Sequence, residues 1–404
     1  MMDIAGLIGI LLVTLITFFI AKSYPKTANI LYAALAIRIL FVFLDNNFIT
    51  LPDSRGDARI FELTAYEWSK EGFPNVLKTF PGWTESFFIS FIIAIFYSII
   101  DRSIVLAQSI SLFFGILSVL MCWIITQKIW GNRVAVKAGW FAALFPSLIL
   151  YSVLIMREVF VCFFLLLAIN NIINWNRTAS IKSFFLVLLS FFAGTVFHGG
   201  IFIGLIVFLI IVFLLGLKKI IIKWQKGVIN PKSSFFFLML IVIFGYFISS
   251  NVSIPKIGKI TDIKILTEEI LKKNRVTHRG DAKYPSWTIA NSATELIYKI
   301  PIRMSYLTFA PFPWEVKKFS HLVGMIDSFF YMFLVYLILR NIKAIWKEPS
   351  LRIILLLLLA YLLVYGIGVA NFGTGFRHRS KFVILFIILA APLLPKFIFF
   401  KKKK

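Results

Sequence analysis

Apolar runs long enough to cross a lipid bilayer recur along the whole of this sequence. A membrane-spanning helix needs about 20 mostly apolar residues. Such runs lie near 4–21, 29–45, 104–126, 136–154, 158–174, 183–198, 200–216, 234–250, 321–340, 351–369 and 381–399. Helices satisfy every backbone N–H and C=O within their own segment, which a medium without water demands. The expected fold is therefore all-α, a polytopic integral membrane protein of about 11 transmembrane helices. Composition agrees: of 404 residues, 60% are hydrophobic and 15% charged, against about 45–50% and about 25% in soluble domains. Soluble enzymes, nucleic-acid readers and secreted toxins are excluded on that ground. The first run is too long and too lightly flanked by basic residues for a cleaved signal peptide, and no small-residue cleavage site follows it. Cys122 and Cys162 both lie inside apolar runs, so neither a disulfide scaffold nor a CxxC metal site is available.

The formal charge of +25 would suggest a nucleic-acid partner in a soluble protein. Here it reads instead as cytoplasmic loops under the positive-inside rule. One set of loops holds Lys22 and Lys26, then Lys128, Arg133 and Lys137, then Arg177 and Lys182. The set continues with Lys218, Lys219, Lys223, Lys226 and Lys232, with Arg340, Lys343, Lys347 and Arg352, and with Lys396 and Lys401 to Lys404. Glu348 is the only acid among them. The alternation places the N-terminus outside and the C-terminus in the cytoplasm, provided that the shorter runs 87–100 and 301–314 do not cross. At about 14 residues, those two suit interfacial or re-entrant segments. The remaining carboxylates fall on the outer side, away from soluble nucleotide donors. Two long outer segments, 46–103 and 251–320, exceed simple connectors, and connections of that size usually carry function.

Several polar residues stand at the outer ends of these spans. Asp57 opens a stretch that reads as an amphipathic helix, where it serves either as an N-terminal cap or as a reactive carboxylate; Arg59 follows it. Arg157 and Glu158 come after Pro146, between two apolar runs, as a local ion pair or as a site. Charges at such depth are costly, which favours the site. His198 precedes two glycines in a tight outer hairpin, as a packing residue or a ligand. Arg303 sits among three prolines, Pro301, Pro311 and Pro313. Finally Arg377, His378, Arg379 and Lys381 crowd the mouth of the last span. They either snorkel to the interface or hold something anionic, since guanidinium groups bind phosphate bidentately.

Together these features resemble the GT-C superfamily of membrane glycosyltransferases, and most closely the bacterial relatives of protein O-mannosyltransferases and aminoarabinose transferases. The first-loop motif of that family runs Asp-Glu-x-x-Tyr, with an alanine eight and a glycine fifteen residues after the Asp. Asp57, Ala65 and Gly72 keep this spacing, while Ala58 and Phe61 replace the second acid and the tyrosine. Gly131, Ala135, Pro146 and Glu158 match the next stretch, so the resemblance covers residues 57–174.

The resemblance implies an outer catalytic cavity at the bacterial cytoplasmic membrane and a polyprenyl-phosphate-linked sugar donor. The acceptor would be an envelope glycan or lipid. Asp57 would be the general base and Glu158 would orient the acceptor or a divalent cation. Arg377, His378 and Arg379, with Arg303, would hold the lipid phosphate, and Arg59, Arg157 and His198 are further substrate-binding candidates. An O-antigen or capsule polymerase that joins undecaprenyl-diphosphate-linked repeats suits the same size and layout. A transporter or flippase suits it less well, because no inverted repeat is visible and the charges gather at helix ends rather than mid-membrane.

Overall fold

A computed structural model describes residues 3–82, 87–225 and 263–396, together with a few positions between 238 and 259. Most of the span expected near 234–250, together with Lys226, Lys232 and the lysine tail, lies outside the described residues.

The chain opens with two antiparallel helices, α1 (Ile4–Ser23) and α2 (Ala28–Asn47). The first outer segment then forms α3 (Asp57–Ser69), α4 (Phe73–Val76) and α5 (Phe88–Ile100). Next come α6 (Ile104–Trp130), α7 (Asn132–Leu144), α8 (Pro146–Val153), α9 (Glu158–Thr178), α10 (Ile181–Phe197) and α11 (Phe202–Gln225). A two-residue antiparallel hairpin, β1 (Ser253–Ile254) with β2 (Gly258–Lys259), precedes the second half. That half comprises α12 (Ile263–Thr277), α13 (Ala293–Phe309), α14 (Phe319–Lys347), α15 (Pro349–Gly368), α16 (Phe372–Ser380) and α17 (Val383–Ala390).

Among the described residues, seven helices are long and apolar enough to cross a membrane, or eight if α7 and α8 form one bent span. The expected number was about 11, and the difference has local causes. Pro146 supplies no N–H and forces Phe145 out of helical geometry, so the run 136–154 bends by 55°. The break survives because its freed groups find partners. Arg38 Nη1 donates to Ala143 O at 3.1 Å, and Ser147 N donates to Asp327 Oδ1 at 3.1 Å. α10 is a shorter apolar helix. α17 is short as well, and from Phe382 to Ala391 every residue is buried. Its uniform apolarity marks a helix enclosed by protein on all sides rather than one that faces lipid.

Polar contacts define two ends of the bundle. At one end Asp3 caps α1 by accepting from Gly6 N at 2.6 Å, and Ser103, the cap of α6, donates to the same carboxylate. Asn46 at the close of α2 donates to Gln108 near the start of α6. At the other end Lys128 reaches Asn170 and Asn174, Arg177 reaches Lys128 O, and Lys137 donates to Pro392 O. Lys128, Lys137 and Arg177, from the basic loops read in the sequence, thus share the second end.

The outer segments fold onto the first end. α5 packs on α3, where Ser90 Oγ donates to Phe61 O at 2.7 Å. Gly72 and Gly131 adopt φ of +79° and +81°, a left-handed geometry that other residues avoid. α13 runs on through Pro301, and the chain leaves helical geometry at Ala310. The segment before α16 is tied to it by two bonds, Tyr284 N to Ala370 O and Phe372 N to Ala282 O.

Candidate functional site

Asp57, Arg157, Glu158, His198, Arg377 and His378 line one cavity of about 520 Å³ at the first end of the bundle. Asp57 is the first residue of α3, with Gly56 in the capping position. Its carboxylate makes no cap bond and instead accepts from Arg377 Nη1 at 2.7 Å across 320 residues of sequence. Glu158 opens α9, where the helix N-terminus favours negative charge. Its side chain is 1% exposed, and Oε1 lies 3.7 Å from Arg377 Nε and 3.5 Å from Lys381 Nζ. Arg377 therefore stands between both carboxylates. Burial alone would lower its pKa, but Glu158, Asp53 and Asp57 outweigh that and raise it.

The rest of the cavity is cationic and aromatic. Lys381, also 1% exposed, lies 2.8 Å from His378 Nδ1. The His378 ring stacks on Tyr365 at 4.6 Å, and the Tyr365 hydroxyl lies 3.2 Å from His198 Nδ1. Gly200 N also donates to that nitrogen, which holds the imidazole in the cavity wall. Arg157 is buried, and its Nε and Nη1 make no hydrogen bond. Its guanidinium lies 5.1 Å from the ring centre of Phe61, the residue standing where the family motif has tyrosine. Burial lowers the pKa of Arg157. A buried guanidinium with unused donors is a place where an anion gains and water does not suffice.

Three candidates lie elsewhere. Arg379 sits two positions from Arg377 on α16, about 200° around a helix of 3.6 residues per turn, so it faces the opposite way. It is fully buried and donates to Thr308 O, Ala310 O, Gly324 O and Asp327 Oδ2. Arg303 is buried as well. It donates to Gly366 O, Ile367 O and Val369 O at the end of α15, and to Thr288 O and Asn274 Oδ1. Both arginines are tied to protein acceptors rather than open to a ligand. Arg59 is exposed and lines a different cavity on the other side of α3.

Three residues that were not among the candidates belong here: Tyr365 in the cavity wall, and Asp53 and Tyr151 beside Arg377. Lys381, part of the cationic cluster read from the sequence, stands four positions after Arg377 and so shares its helix face. Tyr151 donates to Asp53 Oδ2 at 2.9 Å, and Asp53 takes φ of +67° in the loop before α3. Burial raises the pKa of Asp53, and Arg377 opposes that.

The donor set bears on the cation that the resemblance allowed. With alanine at 58, Asp57 and Glu158 are the carboxylates of this cavity, and each faces a guanidinium or ammonium. Among the described residues no three of His, Cys, Asp and Glu converge. This set does not fit a divalent cation, whereas the three cations Arg157, Arg377 and Lys381 fit a phosphate. Comparison with protein-family models, with curated proteins and with solved structures finds no match for the chain.

Proposed function

We propose that the protein transfers a glycosyl unit from a polyprenyl-phosphate-linked donor to a glycan or lipid acceptor on the outer face of the bacterial cytoplasmic membrane. The observation that carries this reading is the Arg377 bridge between Asp57 and Glu158, set in a cavity with Arg157, His378 and Lys381. In the reaction the bond between the sugar anomeric carbon and the lipid phosphate oxygen breaks with its electrons on the phosphate. The acceptor oxygen forms the new bond and loses its proton to Asp57. The departing phosphate gathers negative charge where Arg157, Arg377 and Lys381 stand, the arrangement that stabilises such a transition state. An arriving phosphate competes for the Arg377 guanidinium and frees the Asp57 carboxylate to take the proton. Proton transfer by a positioned base contributes a factor on the order of 10² to 10⁴. The basic end of the bundle would face the cytoplasm, which sets the cavity outside.

A polymerase reading instead joins undecaprenyl-diphosphate-linked repeats, with a growing lipid-linked chain as acceptor. It is favoured by the second arginine-lined cavity beside α3. Glycan analysis of a deletion strain separates the readings. Full-length chains lacking one sugar indicate a transferase, and single unpolymerised repeats indicate a polymerase. Unchanged glycan without accumulated lipid-linked sugar contradicts both.

A further inference from the structure

We infer that His198 and His378 serve the cavity at Asp57 as neutral imidazoles, each with its proton on Nε2, and that with Tyr365 they form the wall that meets the sugar rather than the phosphate. The sugar half of this inference rests on the sugar-transfer reading; the charge state of the two rings does not.

Both rings are held through Nδ1 by partners that can only donate there. A backbone N–H never accepts, so the bond of 3.1 Å from Gly200 N makes Nδ1 of His198 the acceptor and puts the ring proton on Nε2. A second proton would set Nδ1–H against that amide. Glycine is needed at 200, because a Cβ there would run into the Tyr365 hydroxyl, which lies 3.2 Å from the same nitrogen. At His378 the donor is Lys381 Nζ, 2.8 Å from Nδ1. An ammonium has no lone pair to offer, and Glu158 Oε1 at 3.5 Å favours the ammonium form of Lys381. His378 therefore carries its proton on Nε2 as well.

The surroundings oppose a further positive charge. Among the described residues, the charged groups lining this cavity with the two rings are Asp57 from α3, Arg157 and Glu158 from α9, Arg377 from α16, and Lys381 just after it. Tyr365 from α15 is the remaining titratable group. Cations outnumber carboxylates in that set, which disfavours an imidazolium. The lining thus divides by charge. Phosphate belongs with Arg157, Arg377 and Lys381. The two imidazoles stand 5.3 Å apart edge to face, and His378 stacks on Tyr365 at 4.6 Å, so three rings make one uncharged wall. A sugar suits such a wall, because its C–H face packs on aromatic rings and its hydroxyls pair with neutral N–H and O–H groups. His378 thereby leaves the phosphate-holding set that the resemblance to GT-C enzymes implied.

The test has two arms, both on the full-length protein in phosphatidylcholine nanodiscs. The first is solid-state nitrogen NMR with isotope-labelled histidine. The chain has four histidines, so His198→Asn, which keeps an acceptor for Gly200 N, and His378→Phe, which keeps a ring on Tyr365, assign the two signals by difference. Both rings should show a protonated Nε2 and a bare Nδ1 at about pH 8 and still at about pH 5.5, well below the ordinary histidine value of about 6.5. Lys381→Met should let His378 take up a second proton at the lower pH while His198 stays neutral; if that variant does not fold, the wild-type spectra decide alone. An imidazolium at either position in wild type, or a proton on Nδ1, overturns the inference. The second arm measures binding of synthetic polyprenyl phosphate and of the lipid-linked sugar extracted from the deletion strain. His378→Phe should leave the first affinity within about twofold and weaken the second by about 3- to 10-fold, the effect of one neutral hydrogen bond. Equal loss for both lipids makes His378 a phosphate ligand, and no loss for either takes it off the sugar; each overturns the inference. A wild type that binds neither lipid contradicts the sugar-transfer reading, and the spectra then still decide the charge of the two rings.

Discussion

Arg377 and Arg379 show how far two neighbouring cations can differ in consequence. Arg379 and Asp327 are both fully buried, with Nη2 and Oδ2 3.1 Å apart. Removing one member of a buried pair strands a charge and costs about 3–5 kcal/mol. Arg379→Met should therefore lower the thermal unfolding temperature in detergent sharply, and adding Asp327→Asn should restore part of the loss. Arg377→Gln should leave more of the stability and cut turnover by a factor on the order of 10² to 10³, the effect of losing one electrostatic stabiliser. A variant at 377 that unfolds while keeping its specific activity would reverse these assignments. Asp53 gives a pH signature. Its folded pKa is raised above the ordinary 3.8 by burial, so the folded state holds the proton longer and stability falls as pH rises from that value. Asp53→Asn tolerates the left-handed backbone, removes the charged form and should flatten this dependence between acidic and neutral pH.

At the scale of elements, the helices were legible and their partners were not. Lipid imposes a minimum apolar length, which is why α1, α2, α6, α9, α14 and α15 stand in the sequence almost as they stand in the fold. α17 escaped that logic, because a helix enclosed by protein owes nothing to bilayer thickness. The amphipathic helix at Asp57 was readable from its alternating faces, yet the 320 residues between Asp57 and Arg377 lie beyond any local pattern. Arg303 was misplaced for a related reason. Nothing local says that its five acceptors come from α12, the 286–288 turn and the end of α15. It replaces the bonds that the last carbonyls of α15 lack within the helix. Arg303→Met should leave those buried carbonyls unpaired at about 1–3 kcal/mol each, lowering the unfolding temperature. A melt equal to wild type would show that water serves them as well.

Across the molecule, Lys128, Lys137 and Arg177 gather at one end and the paired carboxylates of the cavity, with their cations, lie at the other. The positive-inside rule predicts an orientation from that distribution, and it can be measured directly. Cys122 and Cys162 are both buried, so single cysteines report without a cysteine-free background. Lys70→Cys, at the cavity end, should react with a membrane-impermeant maleimide in intact cells. Thr178→Cys, at the basic end, should react only after lysis, and the opposite pattern would place the cavity in the cytoplasm. The central claim is that Asp57 removes a proton from a sugar acceptor, and the most direct measurement is complementation of a deletion strain by Asp57→Asn at wild-type membrane abundance. Lipid-linked sugar should accumulate and the envelope glycan should remain defective, as in the deletion itself. Glycan restored to wild-type length and composition by this variant would contradict the account.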